Sequence, residues 1–273
     1  MTAGLARAAD GTDLYYQVDG PVDQNPAPDT LVLVNGVGDP LEGWAGQLEA
    51  FLAAGLRVVS FDNRGVGRSS QPPGPYTSAQ LAADLDAVVR AAGLDGFHLA
   101  GVSMGGVIAQ EYALAHPANL RSLVLANTFA AADPFTRAAF ETWAEVAQAA
   151  GMAMMMRAQA PWIFSPAFYA EHPDRVAELI AEAEESTQPA AAFAAQTAAL
   201  VDHDARDRLA ALTTPALVIA AADDIIIRPA LSRALFEALP AAAWTVVPGG
   251  HAAFWEDPGP WNQAVLEFVH AHR

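Results

Sequence analysis

The stretch HLAGVSMGGVIAQ, residues 98–110, decides how the chain around it folds. The apolar run 97–101 predicts a buried strand, and the pattern of 104–115 predicts a helix. Between them, GVSMG matches the pattern G-x-S-x-G. A sharp turn from strand to helix leaves room only for small neighbours, and it lifts the serine hydroxyl above the sheet at the positive end of the helix. We therefore predict that Ser103 is a nucleophile.

The composition excludes several classes of function. The chain has 273 residues and a net charge of −17, and all 14 of its basic residues are arginine. Nucleic acids and anionic membranes need a basic face, so we expect neither as a partner. The chain has no cysteine, which removes thiolate nucleophiles and thiolate metal ligands, and its scattered histidines match no metal motif. We expect no metal and no cofactor.

The start of the chain, MTAGLARAADGTDLYY, has no basic segment followed by an apolar core. It therefore does not resemble a signal peptide. The apolar runs elsewhere are too short to span a bilayer. We expect a cytoplasmic protein, whose oligomeric state the sequence does not specify.

Apolar runs alternate with helical patterns along much of the chain, which predicts an α/β fold with a doubly wound, mostly parallel sheet of eight strands. Several of the runs are apolar almost throughout, as in strands buried on both faces. The predicted strands are 5–8, 14–18, 31–35, 57–61, 97–101, 123–126, 216–221 and 243–247. The predicted helices are 42–54, 78–92, 104–115, 230–239 and 259–270.

One long segment interrupts the alternation. Residues 129–201 contain no clear strand, only helix-like sequence rich in alanine, methionine and aromatic residues. We predict that this segment is a helical cap, or lid, inserted over a core formed by residues 1–128 and 202–273. The proline-containing segment 21–28 is interpreted as a surface loop between two early strands.

A serine hydroxyl needs a base to take its proton. His251 lies in the glycine-containing loop PGGHAAFWEDP after the last predicted strand, where it can approach Ser103. An acid that orients the imidazole should follow the preceding strand, and both Asp223 and Asp224 are candidates there. In open parallel sheets such loops meet at the carboxyl ends of the strands.

Stabilisation of an oxyanion requires two backbone N–H groups. The residue after the nucleophile, Met104, is expected to supply one. The loop VNGVGDPLEGW after the strand 31–35 is expected to supply the other, because Gly36 and Gly38 allow the backbone to bend and present the N–H of Val37.

These motifs together resemble the α/β-hydrolase superfamily, and they occur in the family's order: NGVG, FDNRGVGRSS, GVSMGG, ADD and GGHAAFWEDP. The resemblance implies the nucleophile Ser103, the base His251 and the acid Asp224, since Ala221 replaces the glycine of the usual Gly-x-x-Asp. It also implies a structural role for the FDNRGVGRS turn. Asn35 departs from the family, which usually has histidine there. We expect the asparagine to bond neighbouring backbone and preserve the oxyanion hole.

The substrate pocket is expected to be mostly apolar. Aromatic and methionine side chains of the cap, with one beside the histidine loop, are its predicted lining: Trp143, Met155, Trp162, Phe164 and Phe254. Arg157 and Arg228 are considered as anchors for a substrate carboxylate.

The resulting expectation is a carboxylic ester hydrolase, an esterase or lactonase, acting on small to medium, mainly apolar substrates. The C-terminal part resembles 3-oxoadipate enol-lactonases, and the cap resembles aminoacrylate hydrolases. Two alternatives stay open at this level. The same triad supports hydrolysis of carbon–carbon, enamine or amide bonds, and the fold also serves catalytically idle small-molecule receptors.

Overall fold

A computed structural model describes residues 1–21 and 29–273. Eight strands form one sheet in the order β1-β2-β4-β3-β5-β6-β7-β8. Strand β2 is antiparallel to both of its neighbours, and all the other pairs are parallel. The strands are β1 Thr2–Arg7, β2 Asp13–Asp19, β3 Thr30–Val34, β4 Arg57–Phe61, β5 Phe97–Val102, β6 Leu120–Ala126, β7 Ala216–Ala221 and β8 Ala242–Val247. The predicted fold class is confirmed.

Helices cover both faces of this sheet. The helices outside the cap segment are α1 Ala45–Ala53, α2 Ser78–Ala91, α3 Met104–Ala115, α9 Pro229–Ala238, α10 Ala253–Glu256 and α11 Pro258–Ala271. Five more follow one another between β6 and β7: α4 Pro134–Ala150, α5 Met152–Ile163, α6 Pro166–Glu171, α7 Pro173–Glu184 and α8 Ala190–Val201. These five lie inside the segment 129–201 for which the sequence predicts a cap.

Successive residues of a strand point to opposite faces of the sheet, and β3 shows how this builds two cores. Val32 and Val34 join the core that contains α2 and α3. Leu31 and Leu33 join the core under α1 and α11. All four side chains are completely buried, which explains the unbroken apolar sequence of this strand.

The edges of the elements differ from the sequence prediction. Strand β1 begins at Thr2, which pairs with Val18 of β2, although the first residues of the chain carry no strand pattern. Strand β6 begins at Leu120, three residues before the predicted start. In both places pairing with a neighbouring strand extends an element that local sequence does not signal. Most of the predicted loop 21–28 lies outside the described residues.

Within the described ranges, none of the helices is long and apolar enough to cross a membrane.

Helix α3 approaches β3 so closely that a side chain at one position is excluded. A Cβ at Gly105 would overlap the carbonyl groups of Val34 and Asn35, and both of these are backbone. We predict that Gly105→Ala lowers the free energy of unfolding by at least about 3 kcal/mol, because neither neighbour can move aside. Denaturant unfolding measures the change.

Gly43→Ala is the matched control, since its added Cβ would meet Trp255 at 3.5 Å, an ordinary contact. We expect it to change stability by less than about 1 kcal/mol. Equal effects of the two substitutions would contradict the packing argument.

Candidate active site

Ser103 occupies the turn between β5 and α3 in a strained backbone conformation, with φ 55° and ψ −118°. A non-glycine residue at positive φ costs roughly 1–3 kcal/mol, so its surroundings must hold it there. Its N–H donates to the Ala126 carbonyl at 2.9 Å, and its carbonyl accepts from Thr128 Oγ1 at 2.9 Å. The conformation presents the buried hydroxyl at the carboxyl edge of the sheet.

The structure distinguishes between the two candidate acids. His251 Nδ1 lies 2.7 Å from Asp224 Oδ2, and both side chains are buried, whereas Asp223 is exposed. A carboxylate only accepts hydrogen bonds, so Nδ1 carries the proton and Nε2 is left free to accept one from a nucleophile. Among the residues described, Ser103 Oγ has no hydrogen-bond partner.

Asp224 is itself held by three donors. Its Oδ1 accepts from the N–H groups of Ile226 at 2.9 Å and Ile227 at 2.8 Å. Its Oδ2 accepts from Asn127 Nδ2 at 3.2 Å, and the same amide donates to the His251 carbonyl at 3.1 Å. Asn127, which the sequence analysis missed, therefore aligns the acid with the base. It directly follows β6, and its positive φ of 48° is the kind of outlier that marks functional sites.

Burial and two carboxyl groups act in opposite directions on the pKa of the His251 imidazole. Burial alone lowers the pKa of His251, but the hydrogen-bonded Asp224 carboxylate and the more distant charge of Asp39 outweigh burial and raise the pKa above its ordinary value. Burial raises the pKa of Asp39 to about 7, against the opposing charge of His251. The second carboxyl group near the imidazole was not identified from the sequence.

The loop after β3 is the predicted source of the second oxyanion donor, the N–H of Val37. Among the described residues, the N–H groups of Val37 and Met104 donate no hydrogen bond, whereas Gly38 N–H donates to Gln196 Oε1 at 3.0 Å. The role of the Val37 and Met104 N–H groups as the oxyanion hole stays a prediction. Asn35 Nδ2 donates to the carbonyls of Asp39, at 3.2 Å, and Pro40. This asparagine bonds neighbouring backbone, as expected.

The turn after β4 braces this loop. Asp62 accepts from the N–H groups of Leu41 at 2.7 Å and Arg68 at 2.8 Å. Arg64 forms a buried ion pair with Asp84. These contacts agree with the structural role predicted for the FDNRGVGRS turn.

Gln196, on α8, joins the cap segment, residues 129–201, to the loop after β3, which is called the oxyanion loop after its predicted role. Its side chain is completely buried. Besides accepting from Gly38, its Oε1 accepts from Gln188 Nε2 at 3.0 Å, and its Nε2 donates to the Arg64 carbonyl at 2.7 Å. One amide thus connects the loops after β3 and β4 with the cap segment. The alanine-rich pattern around it signals a helix and carries no information about these distant partners.

Glu256 makes a similar connection at the histidine loop. Its carboxylate accepts from Gly250 N–H at 3.1 Å, and from the N–H and hydroxyl of Ser165 at 2.6 and 2.7 Å. Ser165 is the N-cap of helix α6. The loop that carries His251 is therefore tied to the cap segment by a charged side chain, which strengthens these hydrogen bonds.

A cavity of about 590 Å³ lies between the loop after β3 and helices α5 and α7. Gly38 and Asp39 are on its wall, and Ser103 and His251 are not, so the cavity reaches the loop after β3 but not the predicted nucleophile or base. Phe164 and Phe254, two of the predicted lining residues, are also on the wall. Substrate contact by either of them stays a prediction.

The other three predicted lining residues lie elsewhere. Trp143 and Met155 are buried in the main core, and Trp162 packs against that core and against Trp143. None of the three is on the cavity wall. Arg157 pairs with Glu184, and Arg228 pairs with Asp133. Neither arginine faces the cavity, so neither is placed to anchor a carboxylate there.

Comparison with known proteins agrees with this geometry. The sequence profile of the alpha/beta hydrolase fold matches residues 29–157. The RutD protein of Azorhizobium caulinodans, whose name describes a carbamate hydrolase, is 35 % identical over 263 residues, 94 % of each chain. Its counterpart in Variovorax paradoxus is 32 % identical over 258 residues, covering 94 % of this chain and 96 % of the relative.

Solved structures give the same result. A hydrolase from Pseudomonas aeruginosa superposes with a TM-score of 0.88 at 32 % identity, covering 98 % of both chains. An enol-lactonase from Burkholderia xenovorans gives 0.89 at 27 % identity, covering 98 % of this chain and all of that one. The fold and the arrangement at its carboxyl edge define a hydrolase. The chain belongs to the α/β-hydrolase fold family, which confirms the resemblance noted in the sequence.

The electrostatics of His251 predict a pH dependence. A general base must be neutral, so we expect kcat/KM for an activated ester to fall as the pH drops through the raised pKa of His251. Asp39→Asn removes a charge that raises this pKa. The acid limb of the profile should therefore move to lower pH.

Asp223→Asn is the control, because this carboxylate is beside Asp224 in sequence but is exposed, and solvent screens its charge from His251. Its acid limb should coincide with that of the wild type. A limb that stays in place or moves to higher pH in Asp39→Asn would show that Asp39 does not act on the base.

Gln196→Met keeps the size of the side chain and removes its hydrogen bonds. The Gly38 N–H would lose its acceptor, and the oxyanion loop would lose a fixed position, so we expect kcat to fall by about tenfold or more. Steady-state kinetics with a thermal melt to confirm folding make the measurement. Gln263→Met on the exposed side of α11 is the control. A folded Gln196→Met protein with unchanged kcat would refute the role of this contact.

Proposed function

We propose that this protein is a serine hydrolase that cleaves small acyl compounds through Ser103, His251 and Asp224, and that its preferred bond is a carbon–nitrogen bond of the carbamate or amide type. The observation that carries the catalytic part is the buried His251–Asp224 pair at 2.7 Å, together with a serine in a strained strand-to-helix turn at the same edge of the sheet. The relatives at 35 % and 32 % identity, named for carbamate hydrolysis, support the choice of bond.

The proposed reaction proceeds in two halves. Ser103 Oγ attacks the carbonyl carbon while His251 Nε2 takes the hydroxyl proton, and the N–H groups of Val37 and Met104 bind the developing oxyanion. The tetrahedral intermediate collapses, and His251 returns the proton to the departing nitrogen. Water then attacks the acyl-enzyme, with His251 as base, and release of the acid restores the Ser103 hydroxyl.

The negative charge of Asp224 has a defined role in both halves of this reaction. It stabilises the imidazolium that forms in each half of the reaction, and it keeps the proton of the neutral ring on Nδ1. Three hydrogen bonds from Ile226, Ile227 and Asn127 hold this carboxylate in place. The base is therefore aligned before substrate binds, which reduces the reorganisation needed in the transition state.

Ester or lactone hydrolysis is the second candidate. It is supported by the enol-lactonase from Burkholderia xenovorans, which shares the fold at 27 % identity. An ester differs from an amide in the group that leaves, and both use the same nucleophile, base and oxyanion donors. The distinction therefore depends on measured selectivity.

The test compares a 4-nitrophenyl ester, a 4-nitroanilide and a 4-nitrophenyl carbamate with small acyl groups. The anilide reports cleavage of a carbon–nitrogen bond, whereas the ester and the carbamate release 4-nitrophenol through a carbon–oxygen bond. Each catalysed rate is divided by the uncatalysed rate of the same compound, since esters are intrinsically more reactive. We expect the largest acceleration for the anilide. Acceleration of the ester alone would favour the second candidate.

Ser103→Ala is the matched variant, and we expect it to lower kcat by about 10³-fold or more without loss of folding. Labelling with a fluorophosphonate should modify the wild type at Ser103 and leave the variant unlabelled. A wild-type protein that is neither labelled nor active on any of the three compounds would refute the proposed function and leave the idle receptor.

A further inference from the structure

Asp39 lies in the oxyanion loop, two residues beyond the predicted donor Val37. Its Oδ2 is next to Gly36: a Cβ at Gly36 would come within 2.8 Å of this oxygen and 3.6 Å of Ser103 Cβ. The carboxyl group is therefore near the nucleophile, and Asp39 also forms part of the cavity wall. The loop thus presents an acid at the junction between the cavity and the triad.

This acid lacks a compensating partner in the protein. Among residues 1–21 and 29–273, we find no hydrogen bond or ion pair to the Asp39 carboxylate, and burial raises its pKa to about 7. The cations near the cavity are engaged elsewhere. Arg68 pairs with Glu42 and Asp62, and Arg175 pairs with Glu178 and Glu182. Asp39 is only half-buried, so its carboxyl group is accessible from the cavity, and a ligand that supplies a donor there would stabilise the charged form.

The cavity wall carries more acidic than basic residues. Glu42, Glu182 and Glu185 are on it, the first two paired with Arg68 and Arg175, and Arg175 is the single basic residue among the described lining residues. Much of the remaining wall is apolar: Val66, Ile163, Phe164, Leu179, Ile180 and Phe254. Such a cavity favours a cation over an anion beside Asp39, because a low-dielectric wall strengthens the field of that unpaired carboxylate.

We propose that Asp39 binds an amino or ammonium group of the substrate, located a few bonds from the carbonyl carbon that Ser103 attacks. The substrate class is then a small aminoacyl compound whose remaining surface is apolar. This inference rests on the hydrolase function proposed above and specifies its substrate. An ammonium group donates charge-assisted hydrogen bonds to a carboxylate, whereas an acidic substrate would be repelled by Asp39.

Two esters of equal size test the proposal: 4-nitrophenyl 3-aminopropanoate and 4-nitrophenyl butanoate, which differ only in an ammonium group in place of a methyl group. At neutral pH, with uncatalysed hydrolysis subtracted, we expect the wild type to prefer the amino ester by about tenfold or more in kcat/KM. Asp39→Asn should reduce this ratio to about one, mainly through a higher KM for the amino ester.

Glu185→Gln is the matched control, because it removes one negative charge from the same cavity, at an exposed position. We expect it to change the ratio by less than about twofold, since an exposed charge is screened by solvent. An equal loss in Glu185→Gln and Asp39→Asn would overturn the proposal in favour of a general field effect. A preference that survives in Asp39→Asn would also overturn it.

The ratio of kcat/KM for the two esters in the wild type is a test that does not depend on any variant. If Asp39→Asn is unstable, Asp39→Ser is a second substitution that removes the same charge. Equal wild-type turnover of both esters would refute the role of Asp39 and leave the hydrolase function intact. Failure to turn over either ester, together with no fluorophosphonate labelling of Ser103, would refute the proposed function itself.

Discussion

The close approach of two backbones at the turn between β5 and α3 is the constraint on which the site depends. Ser103 holds a conformation with φ 55°, and the next helix packs against β3 with no space for a side chain at Gly105. The strain is tolerated because β5 is completely enclosed by the sheet and its helices. A buried strand and a buried helix leave the serine between them little freedom to relax.

The other functional groups occupy loops that this constraint brings together. The oxyanion loop follows β3, Asn127 follows β6, Asp224 follows β7 and His251 follows β8. Parallel strands end at one edge of a sheet, so residues far apart in the chain meet there. Hydrogen bonds then set the finer geometry, because Asn127 links the acid with the loop of the base. The sheet brings these loops close together, and the Asn127 amide aligns Asp224 with the loop that carries His251.

The sequence predicted the groups whose chemistry is encoded locally. The turn around Ser103 has a short pattern with a physical cause, and the order of Ser103, Asp224 and His251 follows the order of the strands. Asn127, Gln196 and Glu256 escaped prediction because each acts through partners that are distant in sequence, and no local pattern distinguishes a buried amide from a solvated one. Several aromatic side chains of the cap segment were predicted to line the pocket. Only the packing of the folded chain distinguishes Phe164, on the cavity wall, from Trp143, in the core.

The contacts of Gln196 and Glu256 have a consequence for engineering this hydrolase. The cap segment supplies hydrogen bonds to the loop after β3 and to the loop that carries His251. Replacing the cap segment with that of another family member would therefore remove supports of the loops after β3 and β8 along with part of the cavity wall. A chimera needs a buried amide at position 196 and a donor pair at position 165 before its new specificity can be expressed as turnover.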